Sequence, residues 1–348
     1  MRLDMAIINL PRICDETGIF RFCRDLQEQN GVEEVTLDFS SMARVEPFAM
    51  IYIAKFIRDF HRSNSETKII CIGHGRKNYA ANMGFFKSFG LKHGKNPSFS
   101  IGDQGNFLPF TILDMQKIIE EAEQEYTVGQ EIIEKYALNL AEILTQEKGT
   151  DLVKTLNYSI REIIRNVYEH SQSNKMLCCA QHWPTYHKVE IVIADNGIGL
   201  KKSLEANPHI KPRNDSDAIQ QALMPAISSK NYEGIKINTN NPWHNSGYGL
   251  YMSSRICRLG GSFLVCSGSH GIKLTEENKE YIDLGHQCTG TVIRMVLDTR
   301  KLNELNIMLD QFRKDGYEIA KGLKGVGTYS ASAASKMLST DFNNIEKN

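Results

Sequence analysis

Leu156, Ile160, Ile163, Ile164 and Val167 recur at helical spacing within Thr155–His170 and mark one apolar face. Glu162, Asn166 and His170 fall four residues apart along one edge of that face. Packing of the stripe would hold these polar groups still and leave them within reach of a ligand. Upstream, residues 1–10, Val35–Phe39 and Lys68–Gly73 predict strands, the last of them buried. Helices are expected over Asp15–Asn30, from Pro47 onward, and over Asn78–Phe89 with Gly90 as its cap. Met50, Ile51, Ile53, Ala54, Ile57 and Phe60 give the Pro47 helix its apolar face. This alternation predicts a small α/β domain. Residues 92–114 are rich in turn formers and read as a connection. Met115–Gln146 reads as helical, broken near Gly129, with Ile118, Ile119, Ala122, Ile132, Ile133, Tyr136, Ala137, Leu140 and Ile143 along its seam.

Further on, Lys175–His182 and Lys188–Ala194 read as a strand pair, with Val189, Ile191 and Ile193 on one face. Lys201–Trp243 is polar, poorly periodic and long for a loop. A helix over Leu250–Leu259 and strands over Ser262–Ser267 and Gly290–Leu297 follow. Leu302–Leu323 predicts an amphipathic helix, Ser330–Leu338 a short one, and Asn343–Asn348 a frayed end.

Composition narrows the classes. A chain of 348 residues suggests two domains, and 41% hydrophobic content suffices for ordinary cores. Zero net charge gives no general pull toward nucleic acid or membrane. The 8 cysteines include no C-x-x-C and read as reduced core thiols of a cytoplasmic protein. Cys178 and Cys179 are adjacent in a strand, so they should point to opposite faces. No apolar run is long enough to cross a bilayer.

The chemistry lies in a series of motifs. A carboxylate such as Glu162 can take a proton from a hydroxyl or water. An amide oxygen one turn away, on Asn166, suits Mg2+. Asp195, Gly197 and Gly199 form D-x-G-x-G, which also fits a plain loop or a cation site. Gly247 and Gly249 precede a helix whose free N–H groups suit phosphate, or they simply form a capped turn.

Taken in order, E-x3-N-x3-H, I-V-I-A-D-N-G-I-G-L at Ile191–Leu200, A-I-S-S-K at Ala226–Lys230, N-S-G-Y-G-L at Asn245–Leu250 and G-T-V-I at Gly290–Ile293 carry a resemblance. The run resembles the ATP-binding domain of gyrase, the heat-shock chaperone, histidine kinases and MutL, the GHKL superfamily. It is most similar to the anti-sigma-factor serine kinases, over about Thr155 to Leu297. The resemblance implies a Bergerat-type α/β sandwich binding ATP and Mg2+. It implies Glu162 as general base, Asn166 as Mg2+ ligand and Asp195 as reader of adenine, with Gly197 and Gly199 admitting the ring. It further implies Ser228, Ser229 and Lys230 in a lid, Gly247, Tyr248, Gly249 and Leu250 around the phosphates, and Thr291 reaching adenine through water. His170 stands either near the phosphates or in support of the helix packing. The chain has no histidine between His93 and His170, which argues against an autophosphorylating histidine kinase.

The N-terminal part, about residues 1–105, resembles the STAS domain of anti-sigma-factor antagonists through V-T-L-D-F-S at Val35–Ser40 and N-M-G-F-F-K-S-F-G-L at Asn82–Leu91. In that family a serine before the second helix is phosphorylated; Pro47 stands there instead. The module is then an interaction fold, or a structural cap with no partner outside the chain. The expected organisation is a STAS-like domain at 1–105, a helical connector at 106–150, the ATP-binding domain at 151–300, and a helix with a tail at 301–348. The expected function is a serine/threonine protein kinase acting on a protein partner, such as a STAS or sigma-factor-type regulator; the alternative is a nucleotide-gated switch or slow ATPase. No nucleic acid or membrane partner is expected, and a homodimer stays open.

Overall fold

A computed structural model describes residues 5–98, 105–234 and 246–323. It is a mixed α/β structure with two sheets. The first is parallel, in the order β1 (Met5–Asn9), β2 (Glu34–Asp38), β3 (Lys68–Ile72). Its crossovers are α1 (Glu16–Gln27) and α2 (Pro47–Ser63). Asp15 caps α1, its side chain accepting from the Gly18 amide at 2.8 Å. Pro47 opens α2 in the first turn, where its missing N–H costs nothing.

Three expectations for this part are corrected. β3 is an edge strand with Ile72 43% exposed, because among the described residues no element covers that face of the sheet. Met5 and Ile7 share the open face and are also exposed. The helix expected over Asn78–Phe89 is two pieces, α3 (Asn78–Asn82) and α4 (Phe85–Ser88). Gly84 separates them at φ 80°, against the Asn96 carbonyl, a position that a side chain would strain. Third, the apolar face of α2 is not a stripe. Every residue from Pro47 to Ile57 is buried, since α2 lies between two sheets.

The second sheet is antiparallel, in the order β4 (Phe107–Asp114), β5 (Lys175–Trp183), β6 (Lys188–Asp195), β8 (Lys279–Asp298), β7 (Ser262–Leu274). β4 corrects the reading of 92–114 as a connection; residues 99–104 lie outside the described residues. Next come α5 (Met115–Gln124), α6 (Gly129–Thr145) and α7 (Asp151–Asn166), the break between α5 and α6 falling where expected. The helices expected as a connector share one core with the sheet: Ile132, Ile133, Ala137 and Leu140 pack with Leu156, Ile160 and Ile163. α11 (Leu302–Lys321) joins the same core through Leu305, Leu309 and Phe312.

Both faces of the sheet are buried, so its strands read as nearly continuous apolar runs. Met176, Cys178, Val189, Ile191 and Ile193 face the helices. Leu177, Cys179, Val192 and Ala194 face α1 and α2, in one cluster with the N-terminal core. Cys178 and Cys179 do point to opposite faces. Glu190 and Arg294 lie on the α1/α2 side, where Arg294, Lys188 and Lys273 carry ionic contacts to the N-terminal module. Arg294 pairs with Glu190 at 2.9 Å and with Glu16, in the first turn of α1, at 2.7 Å. Glu190 accepts from the Phe48 amide, at the start of α2, at 3.0 Å. Glu190 is fully buried, and such a charge persists only when paired.

The loop expected over Lys201–Trp243 holds two short helices, α8 (Gly199–Leu204) and α9 (Asp215–Ala222); 235–245 lies outside the described residues. α10 (Gly249–Cys257) follows. The two strands expected near Ser262 and Gly290 extend toward each other into one long β7–β8 hairpin. Ser330–Leu338 and Asn343–Asn348 also lie outside the described residues. No described helix is long and apolar enough to cross a membrane.

Candidate active site

Leu156, Ile160, Ile163, Ile164 and Val167 are buried, which fixes how α7 is rotated. Its polar edge then faces a cleft. Of the residues singled out from the sequence, all but Gly197 and Lys230 line that one cleft. Its walls are apolar, from Ile163, Val167, Ile193, Leu200, Ile227 and Ile293. Apolar walls with a few converging polar groups are the usual form of a small-molecule site.

At one part of the cleft stands Glu162, 6% exposed. Its Oε1 accepts from Arg161 Nε at 3.2 Å and Nη2 at 3.0 Å. Arg161 also pairs with Glu134 of α6 at 3.0 Å, and Arg165 pairs with Glu169 at 3.0 Å. The chain of buried guanidinium groups locks the carboxylate in one pose. Oε2 faces the turn before α10, where Gly249 approaches so closely that a Cβ would overlap it. One turn on, the Asn166 side-chain amide has its Nδ2 buried without a protein partner. Amide oxygen and nitrogen exchange places by a half-turn of the side chain, so this group can present its oxygen to a cation. Among the described residues no three His, Cys, Asp or Glu gather as a metal cluster. Mg2+ held by one amide, phosphate oxygens and water needs none.

After Asn166 the helix widens into a π turn, Val167–Ser171. Such turns are frequent at functional sites. At its end the Ser171 carbonyl accepts from Ile198 at 2.9 Å, in the loop after β6. His170 on this turn meets Ser229 Oγ at 3.0 Å through Nδ1. Burial pushes its pKa down to about 4, against the pull of Glu169 and helped by Lys230 and Arg165. His170 is therefore neutral at physiological pH and touches the segment carrying Ser228, Ser229 and Lys230.

Asp195 ends β6, 4% exposed. Its Oδ1 accepts from the Gly197 amide at 2.7 Å. A Cβ on Gly197 would overlap the Ser171 carbonyl, and one on Gly290 would crowd Asp195 itself. Burial pushes the Asp195 carboxyl up to about 6, opposed by the Gly197 hydrogen bond, Lys55 and the Thr291 backbone. Ser267 secures this corner, donating to the Gly290 carbonyl at 2.8 Å and accepting from Leu200 at 3.0 Å.

Gly247 has φ 74° and packs against Ala226 and Ile227, so the turn and the 226–230 segment are fitted to each other. α10 begins at Gly249, and Gly249 and Leu250 line the cleft. Two buried asparagines hold the segment. Asn207 Nδ2 donates to the Ser228 carbonyl at 2.9 Å, and Asn231 Nδ2 to the Ala226 carbonyl at 2.8 Å. Asn207, Asn231, Arg161 and Glu134 were not anticipated. The Glu162–Arg165 and Arg165–Glu169 pairs, at i, i+3 and i, i+4, have a spacing that could have marked them.

No family model matches the chain, and neither curated proteins nor solved structures give a match.

Proposed function

We propose that the chain binds Mg-ATP in this cleft, as a GHKL-type domain of Bergerat fold, and transfers phosphate to a serine or threonine of a protein partner. The observation that carries this reading is the convergence on one cleft of Glu162, Asn166, Asp195 and the Gly247–Gly249 turn, which lie far apart in sequence. Mg-ATP would supply the transferable phosphoryl group. Asp195 accepts the exocyclic amine of adenine between apolar walls. The Gly247–Gly249 amides and Lys230 neutralise phosphate charge. Asn166 offers an oxygen to the metal, and Glu162 takes the proton of the attacking hydroxyl. The N-terminal STAS-like module is the docking element. A second reading, a nucleotide-gated switch with little turnover, draws support from the bonds joining α2 to the adenine side of the cleft. Labelled Mg-ATP with purified chain, alone and with partners from the same source, separates the two. Label on a partner protein supports the kinase; tight binding without transfer or hydrolysis supports the switch.

Asp195→Asn should weaken ATP binding by about 1.5–3 kcal/mol, one to two decades, and relax preference over GTP. Unchanged calorimetric affinity in a folded variant would remove Asp195 from the site. The raised pKa gives a pH signature. Adenosine, which has no phosphate to titrate, should bind more tightly as pH rises through about 6 and level off above it. Stability of the free protein should move the other way. The folded state holds this proton longer than the unfolded chain, so ionisation costs stability between the ordinary value of 3.8 and about 6. A flat adenosine profile between pH 5 and 8 would contradict the assignment.

Ser40–Phe48 should carry no phosphate after incubation with Mg-ATP. Pro47 has no hydroxyl, and the amide at the start of α2 is already engaged by the Glu190 carboxylate. Mass spectrometry of that peptide decides it; phosphate on Ser40 or Ser41 would make the module a substrate.

A further inference from the structure

Asn196 follows Asp195, and its side chain bonds to the N-terminal module. Its Nδ2 donates to Asp59 Oδ1, on α2, at 2.9 Å. The other oxygen, Oδ2, accepts from Lys55 Nζ, one turn back, also at 2.9 Å. Lys55 is 4% exposed, so its ammonium lies inside the protein behind the sheet. Asp59, itself partly exposed, is its ion-pair partner, and the Asn196 turn is tied to the same carboxylate. Lys55, Asp59 and Asn196 thus form a continuous polar bridge from α2 to the turn that carries Asp195.

We propose that Lys55 and Asp59 are positioning residues for Asp195: from the N-terminal module, they anchor the turn through Asn196 and place a positive charge behind the adenine-reading carboxylate. The inference rests on the nucleotide reading for its ligand, but the arrangement of the charges does not depend on it. The groups acting on Asp195 are few. Lys55 reaches it from α2, with Asp59 beside it and Arg62 paired to Asp59 at 3.2 Å; the Cys288 thiol faces it from β8; the Gly197 and Thr291 backbones donate to it. Burial disfavours its charge, and Lys55 offsets part of that cost. The packing of α2 therefore favours the ionised form of the base-reading group against the effect of its burial.

The test uses the full chain and two variants whose effects have opposite signs. Lys55→Met removes the cation and keeps an apolar side chain of similar length. Asp59→Asn removes the anion and keeps an acceptor for Asn196. In nucleotide-free protein labelled with 13C at aspartate carboxyls, the Asp195 resonance is assigned by its loss in Asp195→Asn. Its midpoint is expected to rise by about one pH unit in Lys55→Met and to fall in Asp59→Asn, where Lys55 is no longer neutralised. Adenosine affinity of Lys55→Met should fall about threefold at pH 6.5, the change in ionised fraction that this rise produces, and recover at pH 8.5. A merely structural role would move both variants in the same direction. Midpoints that stay put, or move together, overturn the proposal. Should Lys55→Met not fold, the sign in Asp59→Asn decides alone. Midpoints that move as expected in a protein that binds neither adenosine nor Mg-ATP would retain the positioning role and defeat the nucleotide reading.

Discussion

Glu162→Gln is expected to bind Mg-ATP nearly as tightly as the wild type and to turn it over about 10²–10⁴ times more slowly, the usual contribution of a general base. The geometry makes this substitution unusually clean. Oε1 is occupied by Arg161, and a glutamine oxygen can still accept those bonds. Arg161 keeps its second carboxylate, Glu134, so the buried guanidinium is not left unpaired. What changes is Oε2, which faces the Gly249 turn and can no longer take a proton. Single-turnover measurements beside calorimetry separate the two effects. Asn166→Ala should do the reverse of Glu162→Gln in the binding assay, lowering nucleotide affinity and its Mg2+ dependence together. A Glu162→Gln protein as fast as a measurably active wild type would leave Glu162 as a group that only orients its neighbours. Two proteins that bind alike and never turn over would favour the switch.

Gly247→Ala should lose ATP and ADP while retaining adenosine. The residue sits at φ 74°, and a Cβ there would come within 2.6 Å of the Ala226 carbonyl carbon. Backbone strain of this kind costs about 1–3 kcal/mol before any clash is counted. The phosphate-dependent part of the affinity should therefore fall by at least one to two decades. On the proposed reading adenosine would contact the walls and Asp195 but not this turn, so its affinity should change little. Equal losses for adenosine and ATP would mean that the turn supports the whole cleft and is not a phosphate subsite.

Much of the cleft was legible because its residues sit where one period forces them. A buried stripe on α7 leaves its polar edge a single direction to face. The partners of that edge were not legible. Glu134 reaches Arg161 from another helix, and nothing in either segment marks the pair. Asn207 and Asn231 look like any polar loop residue until the carbonyls they bind are in view. The Ser171–Ile198 bond that ends the π turn joins distant segments, which no local pattern marks. β4 was obscured by Pro109, which breaks the ladder of a central strand but is tolerated at an edge; the register shifts between Leu108 and Thr111. The β7–β8 hairpin was read short at its glycines. Gly268 and Gly285 adopt positive φ within the hairpin, so they bend the strands without ending them. The open face of the first sheet could not be foreseen either, since β3 reads as apolar whether or not anything covers it.

The enclosure of α2 between two sheets has a consequence for how the chain moves. A helix with one solvent face can fray or lift on its own; from Pro47 to Ile57 this one has none. Releasing it would strip the outer side of the five-stranded sheet and the inner side of the three-stranded sheet together. Its amides should therefore exchange with solvent only when the whole protein opens, making the two modules one cooperative unit. A hinge between them is then not available. What one half learns reaches the other as a change of charge or a displacement of a few tenths of an ångström, through a layer that stays closed.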